Sequence, residues 1–174
     1  GEGKPPEKVE FVGNIMIDSY EMLRGNIEAD ATRANMKLDG KPYGVVTLHR
    51  PSNVDSAEAL ERVALALRTV SEELPLVFPV HPRTRNNIER HAISMGPGVE
   101  LMAPLPYMAF LNLWKDATVV LTDSGGLQEE TTALGVPCVT LRENTERPVT
   151  VDEGSNVLAG TQPDAIIAAA RAAI

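Results

Sequence analysis

The stretch Thr118–Leu141, TVVLTDSGGLQEETTALGVPCVTL, decides the fold. It opens with an apolar strand, Thr118–Thr122. The chain then turns through Asp123, Ser124 and Gly125 into a helix over Gly126–Leu134, with Gly135 just past its end. Val136–Leu141 is a second strand, interrupted by Pro137. A strand apolar on both faces belongs in a sheet that is covered on both sides, and a helix between two such strands makes them parallel neighbours.

The same alternation extends both ways. Tyr43–His49 (YGVVTLH) is a strand ending in polar residues. Ser56–Leu74 is a helix with Leu60, Val63, Leu67, Val70 and Leu74 at 3- and 4-residue spacing on one face. Asp55 is its expected cap, with Glu58 as reciprocal partner, and Pro75 stops it. Leu76–His81 is the next strand, and Thr84–Met95 a helix closed by Gly96. A short strand Val99–Ala103 and a helix Tyr107–Lys115 follow. Asn156–Ala159 is a last short strand, and Pro163 opens a final helix. No repeat of 20 to 50 residues is visible. Short apolar strands separated by helices, joined by right-handed crossovers, give a doubly wound parallel α/β domain. Ligands in such folds sit beyond the carboxyl ends of the strands. Those ends are His49-Arg50, His81-Pro82, Pro104, Asp123-Ser124 and Arg142.

The chain has 174 residues, enough for one domain with a core that needs no staples. Hydrophobic residues make up 43% and charged residues 23%, a globular balance. Lys and Arg number 16 against 24 Asp and Glu, for a net charge of −8. That argues against a generic nucleic-acid or anionic-membrane partner, which needs a cationic face. One small phosphate site, needing only local donors, remains compatible with it. The single cysteine, Cys138, excludes an intramolecular disulfide and a cysteine-based zinc cluster. No apolar run approaches 18 residues and no signal peptide opens the chain, so a soluble cytoplasmic protein is expected. Gly1–Pro6 carries no fold signal.

Chemistry concentrates after the strand Thr118–Thr122. Ser124, Gly125 and Gly126 open a helix whose free N–H groups and positive dipole end suit a diphosphate. The bland alternative is a capped helix after a tight turn. The pair Glu129-Glu130 tilts the balance. Six residues of helix rise roughly 9 Å, which places Glu130 near where the ribose diol of a nucleotide would lie. His49, at a carboxyl strand end, can donate to a phosphate or shuttle a proton, or simply bond a loop carbonyl. His81 ends the next strand in the same way and can share that cleft, whereas His91 lies in a helix. The three histidines lack metal-ligand spacing. Arg147 can fork onto a phosphate, though composition favours a surface pair with Glu146. Leu105 and Phe110, within the stretch Pro104–Phe110 that also holds Tyr107, can face a base or pack in the core.

Together these pieces resemble the C-terminal half of the non-hydrolysing UDP-N-acetylglucosamine 2-epimerases. TDSGGLQEE, ALGVP and the downstream TERP carry the resemblance. Gly13-Asn14 with Ile17-Asp18, VTLHR, FPVHPRT and PLPYMAF match in the same order, over about residues 12–160. The resemblance implies a Rossmann-like domain forming one half of a two-domain fold, as in B-type glycosyltransferases. Residues 1–12 would be interdomain segment and 13–174 the UDP-binding domain, without the N-terminal domain or the closing helices. Ser124, Gly125 and Gly126 would bind the diphosphate, Glu130 the ribose, and Arg147 and His49 the phosphate region. The uracil would lie against Leu105–Phe110, and His49 is the expected catalytic residue.

The implied reaction eliminates UDP to give a 2-acetamidoglucal and re-adds it with C2 inverted, yielding UDP-N-acetylmannosamine. No metal or redox cofactor is implied, and a homodimer is expected of the full-length enzyme. A second, activating UDP-N-acetylglucosamine site would involve Arg50 and His81. There the chain reads Pro51-Ser52 where the family often has Arg-Glu, and Val149 replaces the glutamate of the family's TERPE. Two further readings stand beside this one: a hydrolysing relative or glycosyltransferase of the same fold, and a nucleotide-binding module without catalysis.

Overall fold

The computed structural model describes residues 5–8, 10 and 12–174. The remaining residues, 1–4, 9 and 11, belong to the segment assigned above to an interdomain stretch, and that assignment lies partly outside the described residues. Six parallel strands run in the order β3-β2-β1-β4-β5-β6. They are β1 (Gly44–Thr47), β2 (Leu76–Pro79), β3 (Val99–Met102), β4 (Val119–Thr122), β5 (Cys138–Thr140) and β6 (Asn156–Leu158). This is the doubly wound order, with its switch point between β1 and β4. All the expected strands form, but shorter by one to three residues. The trimmed residues, among them Leu48-His49 and Val80-His81, are where the chain peels away to build loops at the carboxyl edge.

The helices are α1 (Ile15–Ala29), α2 (Thr32–Asn35), α3 (Pro51–Val54), α4 (Ala57–Ser71), α5 (Pro82–Arg90), α6 (Tyr107–Trp114), α7 (Gly125–Leu134), α8 (Val149–Asp152) and α9 (Pro163–Ala173). They cover both faces of the sheet. On one face Leu60, Val63, Leu67 and Val70 of α4 meet Ile166 and Ala170 of α9 beneath Val46, Phe78 and Leu121. The periodic face read from the sequence is the face that is buried. On the other face Tyr20 and Ile27 of α1, Leu111 and Trp114 of α6, and Leu127 of α7 pack against Val45, Val77 and Val120.

Three local readings are corrected. The cap of α4 is Ser56, whose side chain accepts from the Ala59 N–H at 3.1 Å, while Asp55 pairs with Arg83 instead. Both residues are good caps, and the chain direction into the helix selects the second. α5 begins at Pro82 and ends at Arg90, well before Gly96. Ala92 takes a left-handed φ of 52°, and the Ile93 N–H reaches back to the Ile88 carbonyl at 2.9 Å, a Schellman closure built without glycine. α1 has no counterpart in the sequence reading. Its apolar stripe is broken, because Ile15 and Met22 face solvent while Tyr20 and Ile27 are buried. Its start is nevertheless capped by the Asn14 side chain, which accepts from Met16.

Candidate functional site

β1 and β4 run side by side, with Thr47 opposite Thr122. One residue past Thr122, Asp123 is fully buried. Its carboxylate gathers the loop leaving β1. It accepts the backbone N–H groups of His49 at 3.1 Å and Arg50 at 2.9 Å, and the amide of Asn53 at 3.1 Å. The His49 Nδ1 stands 3.1 Å from Asp123 Oδ1, and its side chain is 47% exposed. Asn53 also donates to the Leu141 carbonyl at the end of β5, so one buried pair ties three strand ends together. Asp123 had only marked a strand end in the sequence. A carboxylate in the turn after an apolar strand is the signal that flags it.

Ser124 is the N-cap of α7, but its side chain caps nothing, so the first turn keeps free N–H groups at the switch point. The two glycines serve different neighbours. A Cβ on Gly126 would stand 2.8 Å from the Met16 Cε, so this glycine seats α1 against α7. A Cβ on Gly125 would lie 3.6 Å from Glu146 Oε2, so a loop carboxylate already approaches the helix start. That carboxylate is gripped by both arms of Arg142 at 2.7 and 2.8 Å, with Arg50 3.8 Å away. The Arg142 hydrogen bonds hold Glu146 down to about 2.

The two glutamates of α7 part company. Glu129 faces Arg147, whose Nε lies 3.0 Å from its carboxylate without hydrogen-bond geometry. Arg147 therefore pairs with Glu129, not with Glu146 as composition suggested. Glu130 is 6% exposed, and its Oε1 has no hydrogen-bond partner. Burial pushes it up to about 7, the nearby Tyr107 hydroxyl counters part of that shift, and the Glu129 charge adds to it. A buried acceptor without a donor carries a desolvation cost that a ligand's hydroxyl would relieve. Around α7 a buried polar chain supports the loop with Arg147. Thr145 donates to Gln128 Oε1 at 2.6 Å, Asn156 donates to the same oxygen at 3.2 Å, and Thr140 donates to Asn156 at 2.6 Å. These polar residues on short strands and loops carry no local signal of their partnership.

A cleft of about 200 Å³ opens beyond β1 and β2, lined by His49, Pro79, His81, Pro104, Leu105 and Phe110. The two strand-end histidines do share it. His81 is nonetheless occupied, because its Nδ1 accepts from the Arg83 N–H at 3.2 Å and caps α5. His91 is the C-cap residue of α5, one position beyond the helix. Arg50 lines a second hollow, with Arg142 and Asn144. Glu130 borders a third, small cavity of about 30 Å³ against Ile17 and Tyr20 of α1. Tyr107 links the groups, standing by Glu130 at the start of the helix that carries Phe110. Among the described residues no group of three or more His, Cys, Asp or Glu is placed to hold a metal ion, and no helix is long and apolar enough to cross a membrane.

The fold and the site define a doubly wound α/β domain whose polar and titratable side chains gather at the switch point, the class that binds ligands at its carboxyl edge. The chain belongs to the UDP-N-acetylglucosamine 2-epimerase family, whose family model matches residues 1–174. A UDP-N-acetylglucosamine 2-epimerase of Methanococcus maripaludis is 38% identical over 176 residues, covering 95% of this chain and 48% of the relative. A UDP-2,3-diacetamido-2,3-dideoxy-D-glucuronate 2-epimerase of Pseudomonas aeruginosa is 36% identical over 168 residues, covering 96% and 46%. The crystal structure of the Methanocaldococcus jannaschii UDP-GlcNAc 2-epimerase in complex with UDP-GlcNAc and UDP superposes with a TM-score of 0.90 at 35% identity, covering 98% of this chain and 49% of that one. The chain thus spans about half the length of the relatives it matches.

Proposed function

We propose that this chain is the UDP-binding, C-terminal half of an enzyme that interconverts UDP-N-acetylglucosamine and UDP-N-acetylmannosamine by eliminating and re-adding UDP. The observation that carries the reading is the pairing on α7 of an uncapped N-terminus at Ser124, Gly125 and Gly126 with the buried carboxylate of Glu130, whose Oε1 has no donor. Six residues of helix separate them by roughly 9 Å, the spacing from a diphosphate to a ribose diol. In this reading the helix start holds the diphosphate, Glu130 accepts from the ribose hydroxyls, and Arg147 swings from Glu129 to the phosphates. Leu105 and Phe110 form the wall for the uracil. His49 donates to the departing diphosphate as negative charge grows there, which favours the transition state over the ground state. The groups that move the C2 proton belong to the other half of the enzyme. The whole protein works as a soluble cytoplasmic homodimer.

Calorimetric titration of the 174-residue chain with UDP, beside an epimerase assay of the same sample, tests the reading. Binding without turnover is expected. Turnover of UDP-N-acetylglucosamine by this chain alone would defeat the division of labour between two halves, and no detectable UDP binding would defeat the diphosphate site.

A further inference from the structure

We infer that Asp123 is the positioning residue of His49: it fixes the imidazole in one tautomer and presents Nε2 to the cleft. Among the described residues, the hydrogen bonds reaching this fully buried carboxylate come from one stretch, His49 to Asn53. Three of the donors are ordinary loop ties, the N–H groups of His49 and Arg50 and the Asn53 amide. Those three suffice to close a turn over a strand end. The fourth contact is of another kind: the His49 Nδ1 stands 3.1 Å from Oδ1, a close approach to the charge without full hydrogen-bond geometry. A carboxylate accepts hydrogen bonds and offers none, so the ring nitrogen facing it carries the proton. The neutral ring is therefore Nδ1–H, with the Nε2 lone pair on the opposite edge. The side chain is 47% exposed, and His49 lines the cleft with Leu105 and Phe110.

The backbone bonds and the ring contact act on the same residue. Asp123 holds the His49 main chain by hydrogen bonds and stands against its imidazole, so a turn of the ring about χ2 would carry Nδ1 away from the carboxylate. In register, His49 and Asp123 each follow one of the two strands that flank the switch point, which is why they meet. The inference rests on the proposed reaction only for what Nε2 does. In that reaction the Nε2 lone pair takes up a proton from solvent in the open cleft, and the imidazolium then delivers it to the leaving phosphate and returns to the neutral Nδ1–H ring, whereas a ring neutral with its proton on Nε2 could give that proton up only by becoming an imidazolate. Comparable loss of the orienting carboxylate elsewhere leaves the geometry intact and lowers kcat by about 10⁴ through the wrong tautomer.

The test has two arms. In the ¹⁵N-labelled chain, long-range ¹H–¹⁵N correlations of the imidazoles, recorded above their titration, report the tautomer directly. His49 should show a protonated Nδ1 and a bare Nε2, and Asp123→Asn, whose amide can donate to Nδ1, should lose that signature. In the full-length enzyme Asp123→Asn should lower kcat about 10²- to 10⁴-fold while UDP affinity and the far-UV spectrum stay close to wild type. A wild-type His49 with the proton on Nε2 overturns the inference, and so does a variant that loses the signature but keeps its kcat. Should Asp123→Asn not fold, the wild-type spectrum still decides. A full-length enzyme that does not epimerise UDP-N-acetylglucosamine defeats the proposed function and leaves the tautomer arm to judge Asp123.

Discussion

His49 and His81 end neighbouring parallel strands and line one cleft, yet the fold uses them in opposite ways. His81 turns its Nδ1 onto the Arg83 N–H and serves as the cap of α5. His49 caps no helix with its side chain, and its Nδ1 stands 3.1 Å from Asp123 Oδ1. The difference comes from the neighbour. β2 is flanked by β1 and β3, which offer no carboxylate at that level, while β1 borders β4, whose next residue is Asp123. A histidine at a strand end therefore becomes chemically useful through what the adjacent strand brings, and the switch point is where an adjacent strand comes from far along the chain.

The comparison breaks most sharply on activity. In the full-length enzyme His49→Ala should lower kcat by about 10²–10³, the scale of removing one donor to a developing anion. His81→Ala should leave kcat near wild type and cost only a fraction of the stability, about 0.5–2 kcal/mol for a lost cap. Steady-state kinetics on both variants check this. Equal losses in kcat would mean that the cleft, rather than the Asp123 contact, makes a histidine matter.

α7 offers the same kind of contrast between adjacent residues. Glu130 is buried with its Oε1 left without a donor, and Glu129 is held by Arg147. Glu130→Ala should weaken UDP binding by about 1.5–3 kcal/mol, as for a hydrogen bond to a charged group. Glu129→Ala should change it by less than about 1 kcal/mol, since a partly exposed ion pair contributes little. Calorimetry that ranked them the other way would put the ribose on the other face of the helix.

The smallest effect concerns pH and the unliganded chain. Burial raises Glu130 from the usual 4.5 to about 7, so between those values the folded state binds more protons than the unfolded one. Stability then falls as pH rises through that window. The penalty is absent below about 4.5 and complete above about 7. Glu130→Gln removes the charge that suffers, so its melting temperature should exceed wild type at pH 8 and converge with it near pH 4.5. Parallel melting curves at both pH values would reveal the slope or its absence.

Much of this architecture is legible in the residues themselves. The apolar runs around Val45, Val77 and Val120 are continuous over a few residues, the 3–4 spacing of Leu60, Val63, Leu67 and Val70 has the helical period, and both are buried as those patterns require. α1 escaped because its outward face carries Ile15 and Met22, which blurs the period that would have announced it. The termini of strands and the choice of Ser56 over Asp55 as cap depend on angles of approach that no short window contains.

By itself, then, the sequence determined the parallel sheet, its covering helices and the carboxyl edge as the place for chemistry, because those follow from local periodicity and from chirality. It also picked out Ser124, Glu130, His49 and Arg147 as types suited to a nucleotide. Only the tertiary structure decided how they are committed: His49 to Asp123, Arg147 to Glu129, Arg142 to Glu146, and Glu130 with one oxygen left without a donor. Glu146 and Arg142 are four residues apart, but His49 and Asp123 stand 74 apart. Contacts of that span exist only where β4 pairs with β1, and that pairing is encoded by the whole core and by no stretch of it.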